Sequence, residues 1–160
     1  MFRFYWLAIV VVIADQLTKL WAVRALALEP ITLAPVFNLA LAYNTGAAFG
    51  FLSGASGWQN IFFIAVAAVV GAGILYMLRR LKPDETQVAT ALWLILGGAA
   101  GNLMDRLRLG HVVDFLDFHI GAWHFPTFNI ADSAITIGAM LLILDSFGVR
   151  LWGRARSPAP

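Results

Sequence analysis

The longest wholly apolar run in the chain reads IFFIAVAAVVGAGILYML and occupies residues 61–78 without a charged side chain. About 20 helical residues at 1.5 Å each cross the roughly 30 Å hydrocarbon core of a bilayer, so this run predicts a transmembrane helix over 58–78. The whole chain is similarly apolar, since 61% of its 160 residues are hydrophobic, 12% are charged and the mean hydropathy is +0.79. We therefore predict a single membrane domain over 1–160.

Three further segments, 4–23, 88–104 and 131–149, predict transmembrane helices as well, although the last two are marginal by apolarity alone. Four spans place both chain termini on the same side of the membrane. The residues after the last span, 150–160, are expected to form a short tail.

The basic side chains are distributed unevenly between the two ends of these spans. The termini and the 79–86 loop hold seven of them, and the opposite ends hold four. Because Lys and Arg are enriched on the cytoplasmic side, we predict cytoplasmic termini and outward-facing connections over 24–57 and 105–130. The seven are Arg3, Arg79, Arg80, Lys82, Arg150, Arg154 and Arg156, and the four are Lys19, Arg24, Arg106 and Arg108.

The connection over 24–57 carries the pattern of a β-strand. Apolar side chains recur at every second position through 36–43, and Asn44-Thr45-Gly46 follows as a turn. Pro30 and Pro35 bracket the short run before it. We therefore expect a small sheet on the outer membrane surface.

The composition excludes several classes of function. The chain has no cysteine, so disulfides, thiol nucleophiles and thiolate metal sites are excluded. Its net charge is +2 and its pI is near 9.4, but the basic residues flank the apolar spans instead of forming a patch. Nucleic acid is therefore not expected as a partner.

Two aspartates, Asp114 in HVVDFLDF and Asp132 in FNIADSAIT, each border an apolar run at the predicted outer face. Taken alone, Asp132 could be a helix N-cap and Asp114 a solvated loop carboxylate. Taken together, they could share one proton and activate a water molecule, with one carboxylate as base and the protonated partner polarising a carbonyl. This arrangement would be that of an aspartic protease.

Polar residues also end the third predicted span. Asn102 and Arg106 are four apart and share a helical face, which fits either a polar helix end with a snorkelling arginine or recognition of an extended substrate backbone. Gly97 and Gly101 form a G-x-x-x-G pattern, which is typical of close helix packing.

Asp15 and Lys19 are likewise four apart, in the first predicted span. We interpret them as an intramembrane ion pair with a structural role, which could also anchor the outer sheet.

Three other functions were weighed. His111, Asp114, Asp117 and His119 invite a metal site, but no H-E-x-x-H is present and neither a metal nor a cofactor is expected. Ser56 lies in a G-x-S-G like that of rhomboid serine proteases, yet rhomboids have at least six spans and no histidine here lies in an apolar helix to act as base. A small proton-coupled transporter or channel subunit would instead place carboxylates along helices across the membrane.

Five blocks, taken in chain order, resemble the lipoprotein signal peptidase family, also called signal peptidase II. They cover nearly the whole chain, and together they form a highly specific match. The blocks are Asp15-Gln16-Leu17-Thr18-Lys19, Asn44-Thr45-Gly46-Ala47-Ala48-Phe49, Gly101-Asn102-Leu103-Met104-Asp105-Arg106, Val112-Val113-Asp114-Phe115 and Phe128-Asn129-Ile130-Ala131-Asp132-Ser133.

The resemblance implies an α-helical integral membrane protein of the bacterial inner membrane, with four transmembrane helices, an outward-facing β-cradle and a short periplasmic helix. It implies an aspartic endopeptidase that removes the signal peptide of a diacylglyceryl-modified prolipoprotein, cutting before the lipidated cysteine. Membrane lipids are expected as partners, and the chain is expected to be a monomer. The implied roles are a catalytic dyad of Asp114 and Asp132, a structural role for Asp15, and substrate-site positions at Asn44, Asn102, Arg106 and Asn129.

Overall fold

The computed structural model describes residues 2–46 and 58–152, and these fold into four α-helices and a four-stranded sheet. The helices are α1 (Tyr5–Ala25, after a 3-10 turn at Phe2–Phe4), α2 (Trp58–Arg80), α3 (Thr86–Leu109) and α4 (Ile130–Ser146). The strands are β1 (Ile31–Ala34), β2 (Phe37–Asn44), β3 (Val112–Ile120) and β4 (Trp123–His124).

Helices α1, α2 and α3 are long and apolar enough to cross a bilayer. Large apolar side chains such as Trp6, Ile13 and Val69 are exposed along α1 and α2, which is the expected surface of a helix that faces lipid. Helix α4 has 17 residues, or about 26 Å, so it is somewhat shorter than a bilayer core. The described chain is thus a helical membrane protein, and the fourth span stays a prediction.

Two predicted helix ends were wrong. Helix α3 continues past residue 104 to Leu109 and ends where Gly110 adopts φ +79°, a left-handed conformation that glycine tolerates. Asp105 and Arg106 therefore both lie on α3, which agrees with the predicted helical face shared by Asn102 and Arg106. Helix α4 ends at Ser146, short of residue 149.

Helix α3 lies between α1, α2 and α4, and glycines allow its close approach to two of them. A Cβ at Gly97 would lie 2.8 Å from the Cα of Ala8 in α1, and a Cβ at Gly98 would overlap the carbonyl oxygen of Ala131 in α4. The close packing predicted from Gly97 and Gly101 is therefore confirmed on the side of α1.

The sheet is antiparallel with strand order β1-β2-β3-β4. The predicted strand at 36–43 is confirmed as β2, displaced by one residue, and a bulge interrupts its register between Leu39 and Ala42. The sheet rests on the end of α1 through a buried cluster that Phe115 forms with Ala22 and Leu26.

The segment 105–130 was expected to be a loop, and this was wrong, because it supplies β3 and β4 to the sheet. The alternation typical of a strand is hidden here, since Val112, Val113, Asp114 and Phe115 are all buried, whichever face they occupy.

Some predictions fall outside the described residues. These are the Ala47–Phe49 part of the NTGAAF block, Ser56 and the tail after residue 152. Within residues 24–46 and 110–129 the chain forms no short helix, so the predicted periplasmic helix finds no support there.

Candidate active site

Strand β3 carries Asp114 into the protein, where the residue is 1% exposed. Its Oδ2 accepts a hydrogen bond from Nδ2 of Asn44 in β2 at 3.2 Å, and its Oδ1 accepts one from Nδ2 of Asn129 at 2.6 Å. Asp114 is therefore a buried, oriented carboxylate, and its interpretation as a solvated loop residue was wrong.

The N-cap of α4 is Asn129, whose Oδ1 accepts a hydrogen bond from the backbone N–H of Asp132 at 2.9 Å. Asp132 was weighed as the N-cap itself, and this alternative was wrong. Its carboxylate lies in the first turn of the helix, where Oδ1 accepts a hydrogen bond from Nδ2 of Asn102 at 2.7 Å. The capping residue thus leaves the Asp132 carboxylate available for other contacts.

Asn129 connects the surroundings of the two aspartates. The side chain is fully buried, and its Nδ2 lies 2.6 Å from Asp114, 3.1 Å from Oδ1 of Asn102 and 3.3 Å from the carbonyl oxygen of Val113. Because an amide nitrogen has two hydrogens, these three acceptors share them, and the contact to Asp114 is the shortest.

The predicted ion pair of Asp15 and Lys19 is confirmed, with Nζ 2.8 Å from Oδ2 of Asp15. The same Nζ also lies 2.8 Å from Oδ2 of Asp105 and donates to Oδ1 of Asn102 at 2.9 Å. Lys19 is 3% exposed, so one buried ammonium group neutralises charge from two helices.

The two carboxylates bound to Lys19 also accept hydrogen bonds from the backbone at the start of α4 and at the start of β3. Oδ1 of Asp15 accepts the N–H of Ala131 at 3.0 Å, at the start of α4, and Oδ2 of Asp105 accepts the N–H of Val113 at 3.1 Å, at the start of β3. The sheet was expected to be anchored by the Asp15–Lys19 pair itself, whereas the bond to the start of β3 comes from Asp105, which Lys19 binds.

Arg106 lies one turn beyond Asn102 on α3. It donates from a terminal nitrogen to the carbonyl oxygen of Gly46 at 3.1 Å, and its guanidinium lies 5.0 Å from the ring centroid of Phe63 in α2. Arg108 instead donates to Oε1 of Gln16 at the exposed surface, at 3.3 Å. The two arginines therefore have different surroundings, and Arg106 holds the turn that follows Asn44.

Several of these side chains line one cavity of about 1320 Å³ between the sheet, the C-terminal end of α3 and the N-terminal end of α4. It brings together five of the predicted site residues, whereas Asp15, Lys19 and Asn129 lie behind its wall. Its lining includes Asn44, Asn102, Arg106, Asp114, Asp132 and the segment 123–128.

Burial and, to a smaller extent, the negative charge of Asp132 raise the pKa of the Asp114 carboxyl to about 7, even though the amide donors of Asn44 and Asn129 and the charge of Lys19 act to lower it. Such a group holds a proton close to neutral pH. The cavity therefore contains a carboxyl group able to donate a proton beside a second carboxyl group.

The two histidines considered as metal ligands, His111 and His119, make aromatic contacts instead. His111 packs edge-on against Tyr43, and His119 stacks on the ring of His124, which itself bonds to Asp117. Among residues 2–46 and 58–152, no group of three or more His, Asp or Glu side chains is arranged to hold a metal ion.

No role was predicted for Asp105 or His124, and Asp117 was considered only as a metal ligand. Asp105 belongs to the GNLMDR block three residues after Asn102, so its place on a helix could have indicated a shared face. Asp117 and His124 lie on different strands, and only the β3–β4 hairpin brings them together. No local sequence pattern predicts that Asp117 and His124 pair.

Comparison with known proteins agrees with this architecture. A profile of the Signal peptidase (SPase) II family matches residues 7–148. The protein named lipoprotein signal peptidase of Hydrogenovibrio crunogenus is 48% identical over 146 residues, covering 91% of this chain and 85% of that one. The protein of the same name from Paraburkholderia phymatum is 52% identical over 139 residues, covering 86% and 83%.

Two solved structures share the fold. Both are described as bacterial membrane enzymes and are 33% identical to this chain. One has a TM-score of 0.77 and covers 92% of this chain and 88% of its own, and the other has a TM-score of 0.73 and covers 91% and 93%. Since the family profile spans most of the sequence and the relatives are about half identical to it, the chain belongs to the signal peptidase (SPase) II family of peptidases.

Proposed function

We propose that this peptidase removes signal peptides from diacylglyceryl-modified prolipoproteins by a water molecule that Asp114 and Asp132 activate, and that it cuts just before the lipidated cysteine. The relatives' names point to lipoprotein substrates. The observation that carries the mechanism is the pair of carboxylates from β3 and α4 lining one cavity, with their neighbouring amides joined through Asn129.

In this proposal Asp114 holds the proton and Asp132 is the base. Asp114 is almost completely buried and has a raised pKa, so it keeps a proton near neutral pH. Asp132 is partly exposed and lies in the first turn of α4, where the partial positive charge of the helix end stabilises an anion.

The reaction then needs one water molecule and no covalent intermediate. Asp132 takes a proton from water while the resulting hydroxide adds to the carbonyl carbon before the cysteine, and Asp114 gives its proton to the carbonyl oxygen. When the tetrahedral intermediate collapses, the C–N bond breaks and the leaving amine takes the proton held by Asp132. The hydroxyl proton returns to Asp114, so the dyad regains its starting charge.

The neighbouring polar residues keep this geometry fixed. The amides of Asn44 and Asn129 orient Asp114, and the amide of Asn102 orients Asp132. Arg106 faces the same cavity and is free to donate further hydrogen bonds to an extended substrate backbone.

Asp15 and Lys19 have a structural role in this proposal. They lie behind the cavity and hold the start of α4 and the orientation of Asn102. Neither needs to touch the substrate.

We further propose that α4 is the fourth span of a single domain over 1–160, in the bacterial inner membrane, with cytoplasmic termini and the cavity facing the outer leaflet. The seven-to-four distribution of basic residues supports this orientation. The enzyme would act as a monomer, with the substrate's signal helix beside α2, α3 and α4 and its acyl chains among the membrane lipids.

Two alternative functions, a proton-coupled transporter or channel subunit and a rhomboid-like serine protease, are less well supported. A proton relay would need carboxylates along the helices across the membrane, whereas Asp114 lies on a strand of the outer sheet. The rhomboid-like alternative depends on Ser56, which lies outside the described residues. Membership of the signal peptidase II family supports neither a transporter nor a serine protease.

The decisive test is cleavage of a diacylglyceryl-modified prolipoprotein by purified Asp114→Asn and Asp132→Asn. Each should lose activity by at least about a thousandfold while remaining folded, because both carboxylates act on one water molecule. Asp84→Asn, at an exposed turn, is the matched control and should retain full activity. Near-normal cleavage by either dyad variant would refute the mechanism.

The orientation has its own test, because the chain has no cysteine and single cysteines can be introduced. An impermeant thiol reagent applied to intact spheroplasts should label a cysteine at Gly121 and not one at Ser157. The opposite pattern would reverse the proposed topology.

A further inference from the structure

A second polar pair, Asp117 on β3 and His124 on β4, lies in the wall of the same cavity, and the proposed chemistry does not use it. Asp117 is 3% exposed, and its two carboxylate oxygens lie 2.8 and 3.0 Å from Nδ1 of His124. Nδ2 of Asn38 in β2 donates to the same carboxylate at 3.3 Å. Because a carboxylate accepts, Nδ1 of His124 carries the hydrogen.

The imidazole ring of His124 is held from a second direction. It stacks on the ring of His119 with centroids 5.0 Å apart and an interplanar angle of 23°, and the two residues are paired in the β3–β4 ladder. The side chain nevertheless remains 52% exposed, and no described residue bonds to its Nε2. A ring fixed on one edge and open on the other is suited to hold a ligand group at Nε2.

The spacing along β3 places this pair at a definite distance from the dyad. Asp117 lies three residues after Asp114, which is about 10 Å along a strand. An odd spacing turns the two side chains to opposite faces of β3, so the observation that joins them is that Asp114, Asp117 and His124 all line the same cavity. An extended peptide with its scissile bond at Asp114 would therefore reach His124 about three residues away from that bond.

The part of the substrate that reaches this wall must be extended. A transmembrane signal helix satisfies its own backbone N–H groups and has none to offer. The residues after the modified cysteine are outside the membrane and can lie along the sheet with free N–H groups. Backbone groups are also common to all substrates, whatever their side chains.

We propose that His124, oriented by Asp117, accepts at Nε2 a hydrogen bond from a backbone N–H of the mature lipoprotein segment, about three residues after the modified cysteine. This inference rests on the proposed function and assigns Asp117 as a positioning residue. The pair would fix the direction in which the mature chain leaves the cavity.

Two substitutions of His124 separate a substrate contact from a purely structural role. The amide of His124→Asn reaches the position of Nδ1 and keeps the bond to Asp117, but it offers nothing at Nε2. The longer side chain of His124→Gln places its amide oxygen near Nε2. We expect His124→Asn to raise KM about three- to tenfold with kcat and thermal stability nearly unchanged, and His124→Gln to recover most of the affinity.

The substrate supplies a complementary measurement. Replacing single backbone amides by esters at the second, third and fourth residues after the cysteine should raise KM for the wild-type enzyme at one of these positions, and should add nothing in His124→Asn. An unchanged KM for His124→Asn, or additive effects at all three positions, would overturn the proposal. Failure of the dyad is distinguishable, because it would show as activity in Asp114→Asn.

The role of Asp117 is tested by the tautomer of His124 in ¹⁵N-histidine NMR spectra of the full-length protein. The wild type should show the Nδ1–H tautomer, and Asp117→Ala should shift it towards Nε2–H with a higher KM and little change in kcat. An unchanged tautomer in Asp117→Ala would refute the positioning role.

Discussion

Nζ of Lys19 lies 2.9 Å from Oδ1 of Asn102, a residue 83 positions later in the chain. This contact fixes the orientation of the Asn102 amide, since an ammonium group binds only the oxygen, and the nitrogen must then face Asp132. The orientation of a carboxylate in the cavity is thereby set by a charge that lies outside it.

Lys19→Met should therefore be strongly destabilising and should impair cleavage. It leaves Asp15 and Asp105 buried without their cation, which typically costs about 3–5 kcal/mol. Thermal unfolding in detergent and cleavage at matched protein levels measure both effects. Lys82→Met, at an exposed loop, serves as the control, and equal stability of the two variants would contradict this role of Lys19.

Asn129→Ala should lower cleavage by at least about tenfold and also destabilise α4, because it removes the N-cap and the shortest hydrogen bond to Asp114. Ser146→Ala, at the other end of the same helix, removes only an exposed hydrogen bond to a backbone carbonyl. If both variants cleave at the wild-type rate, Asn129 does not orient the dyad.

Arg106→Ala should reduce the rate of cleavage roughly ten- to a hundredfold, as expected for a charged hydrogen bond worth about 1.5–3 kcal/mol in the transition state. Arg108→Ala should change it by less than about threefold, since the hydrogen bond from Arg108 to Gln16 lies at the exposed surface. Steady-state rates at matched membrane levels compare the two. Equal losses would show that both arginines merely face lipid headgroups.

Cleavage should fall as the pH rises through about 7. The pKa of Asp114 is raised above its ordinary value, so its proton is present below that pH and lost above it. In the proposed mechanism the second ionisation removes the proton donor, and kcat/KM should decrease about tenfold per pH unit well above the pKa. A rate that is flat or rising between about pH 7 and pH 9 would contradict the proton's assignment to the dyad.

Gly98→Ala should destabilise the protein, because the new Cβ would overlap the carbonyl oxygen of Ala131 and approach Ile135. The matched substitution Gly73→Ala places its Cβ in open space on α2 and should leave thermal stability nearly unchanged. Equal unfolding temperatures for the two variants would mean that α3 and α4 can move apart at little cost.

The helices were predictable where apolarity alone decides them. Trp58–Arg80 begins at the predicted residue because a long uncharged run has no other stable state in lipid. The end of α3 was not predictable in this way, since Asp105 is polar by sequence yet is paired with Lys19, far away in the chain. Burial of a charge depends on a partner that local composition does not reveal.

The candidate site was also predictable only in part from the sequence. The five sequence blocks, taken in order, pointed to Asp114, Asp132 and their asparagines. The structure brings the two aspartates, Asn44 and Asn102 to one cavity and places Asn129 directly behind its wall. The sequence did not show that Asn129, and not Asp132, is the N-cap of α4. Asn and Asp both cap helices well, and only the backbone geometry shows which residue does so here. The pairing of Asp117 with His124 could not be predicted without knowing that β3 and β4 form a hairpin.

The contacts around Asn129 have a consequence for biogenesis. The surroundings of the two aspartates include groups from α1, α3, β3 and the start of α4, so helices that are synthesised far apart in time must both be in place. A nascent chain lacking α4 has neither Asp132 nor the amide of Asn129. Under the proposed mechanism, the chain can therefore hydrolyse a peptide only after α4 has packed beside α1 and α3.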